Sequence, residues 1–152
     1  TPIQMIAAVS TIANGGKLMR PYVVKSVVNE NGKRIDTKPF LKEVVFRKET
    51  SSIVTEMMEM AVLNGEVKRL NLPGFKIAGK TGTAQIALAG HYDSEKTIAS
   101  FVGFAPSLDP KFIMLVSLLE PTSSPWGSET AAPIFFSIAK ELFPYFNISP
   151  TG

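Results

Sequence analysis

"GFKIAGKTGTAQ", residues 74–85, fits two chemical patterns at once, and the choice between them decides the fold. Gly74, four residues and then Gly79-Lys80-Thr81 give G-x-x-x-x-G-K-[ST], the spacing of a loop that wraps nucleotide phosphates. Lys80-Thr81-Gly82 is also a K-T-G triplet, an element of enzymes that work through an acyl-serine. The first pattern belongs to a parallel α/β sheet. The second makes residues 75–87 a strand of an antiparallel one.

The flanks separate the two. A phosphate loop needs a buried strand before its first glycine and a helix after its Lys-Thr, so that backbone amides and the helix dipole face the anion. Before Gly74 stands the charged stretch "EVKRLNLP", ending in Pro73, which suits no central parallel strand. The variable positions "FKIA" favour a strand, and Gly82-Thr83 opens a helix poorly. Topology adds a stronger objection. Parallel strands need crossovers of about a dozen residues or more, whereas "PSLDPK" (106–111) between two apolar runs allows only a hairpin. "FIMLVSLLE" imitates the acidic-ended strand of a nucleotide site through Glu120, yet it sits in that hairpin.

With a two-residue period, Thr81, Thr83 and Gln85 form a polar row on one face of the strand. Lys80 sets an ammonium beside the row, and Gly82 removes a side chain where a ligand backbone is expected to come close. A cation, two hydroxyls and free strand amides suit a carboxylate-terminated peptide bound by strand addition. Phe75 and Ile77 share the parity of the polar row. Either Gly79 marks a bulge or that face is partly core.

Outward from this strand the elements predict an α+β fold. Thr1-Pro2-Ile3-Gln4 is a capping box ahead of a helix over 2–13, which ends at Asn14-Gly15-Gly16. That helix carries no charge, so it is expected to be buried. "YVVKSVV" and "KRIDT" flank "NENG" (29–32) and read as a hairpin, followed by a linker with Pro39. "TSSIVTEMMEMAV" puts Ile53, Met57, Met60 and Ala61 on one helical stripe. Three strands are expected near 75–87, 97–105 and 112–120, the middle one apolar on both faces. Thr130 then caps a closing helix, "AAPIFFSIAKELF", with Pro133 in its first turn and Pro144 beyond its end.

Bulk properties remove other classes. The chain has 152 residues, the size of one domain, with 45% hydrophobic and 19% charged residues. A net charge of +3, with its Lys and Arg dispersed, gives no basic stripe for nucleic acid. The absence of cysteine excludes disulfides, thiolate metal sites and a cysteine nucleophile. No apolar run approaches the roughly 18 residues that span a bilayer. The N-terminus has no basic n-region, and Thr1 begins a helix cap directly, so the chain reads as a piece of something longer.

"PGFKIAGKTGTAQ", "ASFVGFAPSLDPKFIMLVSLLEP" and "AAPIFFSIA" together resemble the C-terminal part of the transpeptidase domain of class B penicillin-binding proteins. "TPIQMIAAVSTIANGG" and "PYVVKSVVNENGKRI" resemble the segments that precede K-T-G in that family. The likeness covers nearly the whole chain in order, so residues 1–152 read as the C-terminal portion of one such domain. The resemblance implies a partial penicillin-binding/β-lactamase-like fold, with three core strands here and two more from a missing N-terminal part. It implies acyl transfer from D-alanyl-D-alanine stem peptides through an acyl-serine, with β-lactams as mimics, and no cofactor. Lys80 would supply charge to the cleft, and the hydroxyls of Thr81 and Thr83 would bind the terminal carboxylate. The Thr83 backbone N–H would be one oxyanion donor, and Gln85 would line the cleft further along. It also implies a protein on the extracytoplasmic side of the cell membrane, anchored by a segment outside this chain. A non-catalytic β-lactam sensor or wall-binding module is the alternative.

Two motifs of that family, S-x-x-K with the nucleophile and S-x-N, are needed as well. S-x-N does not occur here. S-x-x-K occurs as Ser137-Ile138-Ala139-Lys140, but downstream of K-T-G in the closing helix, so Ser137 reads as a helix serine beside a surface lysine. The nucleophile is expected before Thr1, and the isolated chain is expected to be inactive. His91, the only histidine, reads as a loop residue that makes no metal site, Trp126 as loop packing or a cover for the cleft, and Met57, Met58 and Met60 as helix packing. Asn147-Ile148-Ser149 matches a glycosylation triplet without other support. The strand at 112–120 is expected to present an apolar edge along which copies of the chain associate.

Overall fold

The computed structural model describes residues 1–88 and 91–151, with the backbone alone at 88 and 91–95. In chain order the elements are α1 (Pro2–Ala13), β1 (Lys17–Met19), β2 (Ser26–Val28), β3 (Arg34–Asp36), β4 (Leu41–Val44) and α2 (Lys48–Asn64). A 3-10 turn (Lys68–Leu70) leads to β5 (Ala78–Leu88), β6 (His91–Ala105), β7 (Phe112–Leu119) and α3 (Ala131–Tyr145). β5, β6 and β7 form one antiparallel sheet in that order, and β1–β4 and β2–β3 form two small two-stranded sheets. The architecture is the expected α+β one.

The core lies on one face of the three-stranded sheet. In register, Thr81 stands opposite Phe101, and Phe101 opposite Val116, so their side chains share that face. α3 covers it. Its inner residues Ala132, Phe135, Phe136, Ala139 and Phe143 are buried against Phe101 and Ala105, with Phe101 4.7 Å from the Phe135 ring centroid and 5.6 Å from that of Phe136. Val62 from the end of α2 and Val67 beyond it join the same cluster. Phe104 alternates to the opposite face and is also fully buried, on the side where α1 reaches β6 and β7. The Ser51 hydroxyl of α2 donates to the Ile12 carbonyl at the end of α1, and the Ser107 hydroxyl donates to Glu59 at 2.6 Å. The first bond ties α2 to α1, and the second ties α2 to the turn at 106–111.

Several local expectations hold. Gln4 Oε1 accepts from the Thr1 nitrogen and hydroxyl, the return half of the capping box. Gly15 and Gly16 end α1 with φ of +80° and +93°, and a Cβ on Gly16 would lie 1.9 Å from the Phe46 carbonyl oxygen. The β2–β3 hairpin forms around Asn29, whose Oδ1 accepts from the amides of Asn31 and Lys33.

Others are corrected. α1 is not buried: Thr11 is its one fully buried residue and Ile3 and Met5 are exposed, because no described element covers its first half. α2 runs longer than expected, and it buries Ser51, Thr55 and Val62. The stripe at Ile53, Met57 and Met60 faces outward, at 54%, 64% and 54% exposure. An amphipathic pattern marks a side that can be buried, and which side meets the sheet is set by tertiary contacts. The linker around Pro39 leads into β4, which pairs with β1. β6 starts at His91 instead of near 97, so His91 is in a strand; its side chain lies outside the described residues. A register shift between Gln85 and Ile86 moves the partner from Thr97 to Asp93. α3 includes Pro144 in its last turn, where its missing N–H removes one i→i−4 bond, and Asn147 follows the helix end with φ of +53°. Thr130 does not cap with its side chain. Its hydroxyl donates to the Trp126 carbonyl at 2.7 Å.

Candidate functional site

The sheet decides the opening question. Ala78 to Gln85 pairs without interruption against Phe104 to Thr97, so residues 78–85 are a strand and no bulge occurs at Gly79. The face carrying Thr81 is therefore partly core. Ile77 is buried, Phe75 stacks on Phe143 at 3.9 Å, and the polar row begins only where the strand leaves this cluster. Both glycines of the phosphate-loop spacing have packing roles. Gly74 has φ of +82°, and a Cβ there would come within 2.7 Å of Pro150 Cβ. A Cβ on Gly79 would sit 2.5 Å from the Phe101 ring. No helix follows Thr81, and Glu120 pairs with Lys96 at 3.2 Å, so the nucleotide reading falls.

β5 is an edge strand, with β6 on one side and no strand on the other among the described residues. An unpaired edge presents alternating amides and carbonyls to whatever lies beside it. Lys80 is exposed, and its Nζ donates to Thr81 Oγ1 at 3.1 Å and to the Thr81 carbonyl at 3.2 Å. Thr81 Oγ1 donates in turn to Glu66 Oε2 at 3.1 Å. Lys80 and Glu66 make no direct ion pair; the pairs among the described residues are Arg34–Asp36, Lys96–Glu120 and Lys111–Asp109. The threonine hydroxyl thus links a cation to a carboxylate at the mouth of a cleft of about 160 Å³, lined also by Ala61, Val67 and Phe101.

Thr83 is exposed, and its Oγ1 accepts from the Gly127 amide at 3.2 Å. The hydroxyl proton of Thr83 remains available to a ligand. Gly127 lies flat on the sheet: a Cβ there would be 2.3 Å from the Ser100 carbonyl oxygen and 2.6 Å from that of Gly82. This contact fixes the segment between β7 and α3 beside the strand and leaves Trp126 half exposed next to it. Gly82 has a neighbour within the protein, since a Cβ there would meet Ser100 Oγ at 2.6 Å. Close approach of Ser100 across the ladder explains this glycine without a ligand. Gln85 is exposed and is the last residue before the register shift.

The structure thus groups Lys80, Thr81, Gly82, Thr83 and Gln85 along one strand. It leaves Ser137 and Lys140 exposed on α3, off the Phe135–Phe136–Ala139 side that packs on the sheet. Sequence reasoning missed Glu66 and Gly127. Neither carries a motif, and each reaches the strand through tertiary packing.

The family model described as the penicillin binding protein transpeptidase domain matches residues 1–140. The chain belongs to this family. Stage V sporulation protein D of Bacillus subtilis is 36% identical to this chain over 153 residues, in a match covering 99% of this chain and 24% of that protein. A peptidoglycan D,D-transpeptidase FtsI of Buchnera aphidicola is 34% identical over 152 residues, covering 99% of this chain and 26% of its own length. Among solved structures, penicillin-binding protein 3 of Mycobacterium tuberculosis, complexed with ampicillin, superposes with a TM-score of 0.86 at 28% identity. That match covers 99% of this chain and 36% of the other. The chain therefore spans about a quarter to just over a third of the relatives it matches, and shares the α+β fold of the solved one.

Proposed function

We propose that this chain is the substrate-carboxylate wall of a peptidoglycan D,D-transpeptidase, the C-terminal portion of its penicillin-binding domain. The observation that carries the reading is the Lys80–Thr81 hydrogen bond on an open edge strand whose sequence is K-T-G-T. A stem peptide ending in D-alanyl-D-alanine, or a β-lactam in its place, lies along β5 as an added strand. Thr81 and Thr83 donate their hydroxyls to its terminal carboxylate. Lys80 supplies positive charge, which lowers the cost of holding that anion and of building negative charge at the reacting carbonyl. The Thr83 amide is one oxyanion donor. Removing a comparable donor costs roughly 100- to 1000-fold in rate. Gln85 contacts the ligand further along the strand.

The serine that attacks the carbonyl comes from outside residues 1–152. No S-x-N occurs in the sequence, and the S-x-x-K at Ser137 points away from the sheet. Acyl transfer then passes from that serine to an amine of a neighbouring peptide, with D-alanine leaving first. The parent works at the extracytoplasmic face of the membrane and is held there by a segment outside this chain; no described helix is long and apolar enough to cross a bilayer.

Fluorescent penicillin tests this. The full-length protein is expected to take one covalent label per molecule, at a serine that precedes Thr1, and the 152-residue chain none. A labelled serine within residues 1–152 would overturn the division of the site. A full-length protein that binds penicillin only reversibly would instead be a non-catalytic sensor.

A further inference from the structure

We infer that Glu66 is an internal competitor for the substrate carboxylate, a built-in brake on the binding of carboxylate-bearing ligands at Thr81. The inference rests on the site reading given above. A hydroxyl has one proton to donate. Thr81 gives that proton to Glu66 Oε2 at 3.1 Å, and its lone pairs already receive Lys80 Nζ at 3.1 Å. The group assigned to the ligand's carboxylate thus already holds a carboxylate from the protein. An incoming anion must displace Glu66 from the hydroxyl and then sit beside its charge, with Lys80 shared between the two.

The position of Glu66 is set by its neighbours. Gly65 closes α2 with its amide on the Ala61 carbonyl, and a Cβ at Gly65 would stand 2.2 Å from that oxygen. Val67, the next residue, is buried in the core cluster with Phe101. Between a tight helix end and a buried anchor, the side chain of Glu66 emerges opposite the start of β5. It lines the same cleft as Lys80 and Thr81. Glu66 touches no reacting atom; it is a specificity-setting residue that works through the Thr81 hydroxyl. It lowers affinity for terminal carboxylates.

The test uses the full-length protein, with benzylpenicillin as the carboxylate probe and its methyl ester as the neutral one. Glu66→Gln and Glu66→Ala are expected to tighten the pre-acylation binding constant for benzylpenicillin on the order of threefold to tenfold. The ester is expected to show no gain. Unchanged or weaker benzylpenicillin binding in both neutral variants overturns the inference. So does an equal gain with the ester, which would mean a change in cleft shape instead of charge. If the unsubstituted protein is not acylated at all, the site reading itself fails and the inference goes with it. If it is acylated and only the variants disagree, the site reading stands alone.

Discussion

Gly79 and Thr81 lie two residues apart on β5 and share a face, yet they are constrained by different things. Gly79 is held by the core, because a methyl group there would press into the Phe101 ring at 2.5 Å and the Val102 carbonyl at 3.1 Å. Phe101 is itself locked between Phe135 and Phe136, so it has little room to yield. Gly79→Ala is expected to destabilise the protein by about 1–3 kcal/mol, the usual cost of overpacking. Thr81 is held by chemistry. Thr81→Val keeps the shape of the side chain and removes the donor assigned to the ligand carboxylate, a charge-assisted hydrogen bond worth about 1.5–3 kcal/mol. In the full-length protein it should cut penicillin acylation by roughly ten- to a hundredfold with little change in unfolding midpoint. Urea unfolding and acylation kinetics on both variants separate the two roles. A Gly79→Ala protein as stable as wild type would mean that Phe101 is not pinned as the packing implies.

Among the elements, α3 does most to support the site. It covers the face of the sheet that carries Thr81, and the turn before it docks through Gly127 on Thr83. Phe135→Ala, which empties a fully buried position against Phe101 and Gly103, is expected to cost about 3–5 kcal/mol. Ser137→Ala and Lys140→Ala lie on the exposed part of the same helix, where substitutions usually stay within about 0.5 kcal/mol. Both should leave penicillin labelling of the full-length protein intact, and loss of labelling in Ser137→Ala would overturn the view that its S-x-x-K is accidental. The contrast also shows what the sequence disclosed. The presence of α3, the N-E-N-G turn, the Gly15-Gly16 helix stop and the antiparallel run of β5 to β7 follow from local chemistry, and all were readable. The β1–β4 pair was not, because three- and four-residue strands joined by non-local pairing leave no periodic trace. The start of β6 was hidden in the polar stretch "HYDSEK", which carries no strand signature. The outward turn of Met57 and Met60 was misread because a stripe does not name its partner. At the proposed site, Lys80, Thr81 and Thr83 were singled out through a contiguous motif. Glu66 went unseen because it reaches Thr81 only across a helix end.

At the scale of the whole molecule, the sheet ends at β7 with no strand beyond it among the described residues. β5 has a ligand assigned to its open edge, whereas β7 presents "FIMLVSLL", with Leu119 at 71% exposure and Ile98 partly exposed beside it in register. A free apolar edge pairs readily with another copy of itself. Much of the surface elsewhere is uncovered as well: Ile3 and Met5 on α1 and the α2 stripe at Ile53, Met57 and Met60. Burial of apolar area, not charge, should therefore drive association, since the ion pair nearest the edge, Lys96–Glu120, is exposed and screened by salt. The 152-residue chain is expected to self-associate with rising concentration, and added salt should not reverse it. Leu119→Lys places a charge at the end of the edge, a common device against strand pairing, and should shift the chain toward monomer. Light scattering coupled to size exclusion, run across concentration and salt for both proteins, reads this directly. A wild-type chain that stays monomeric at high concentration, or dimers that Leu119→Lys leaves untouched, would place the association elsewhere than on β7.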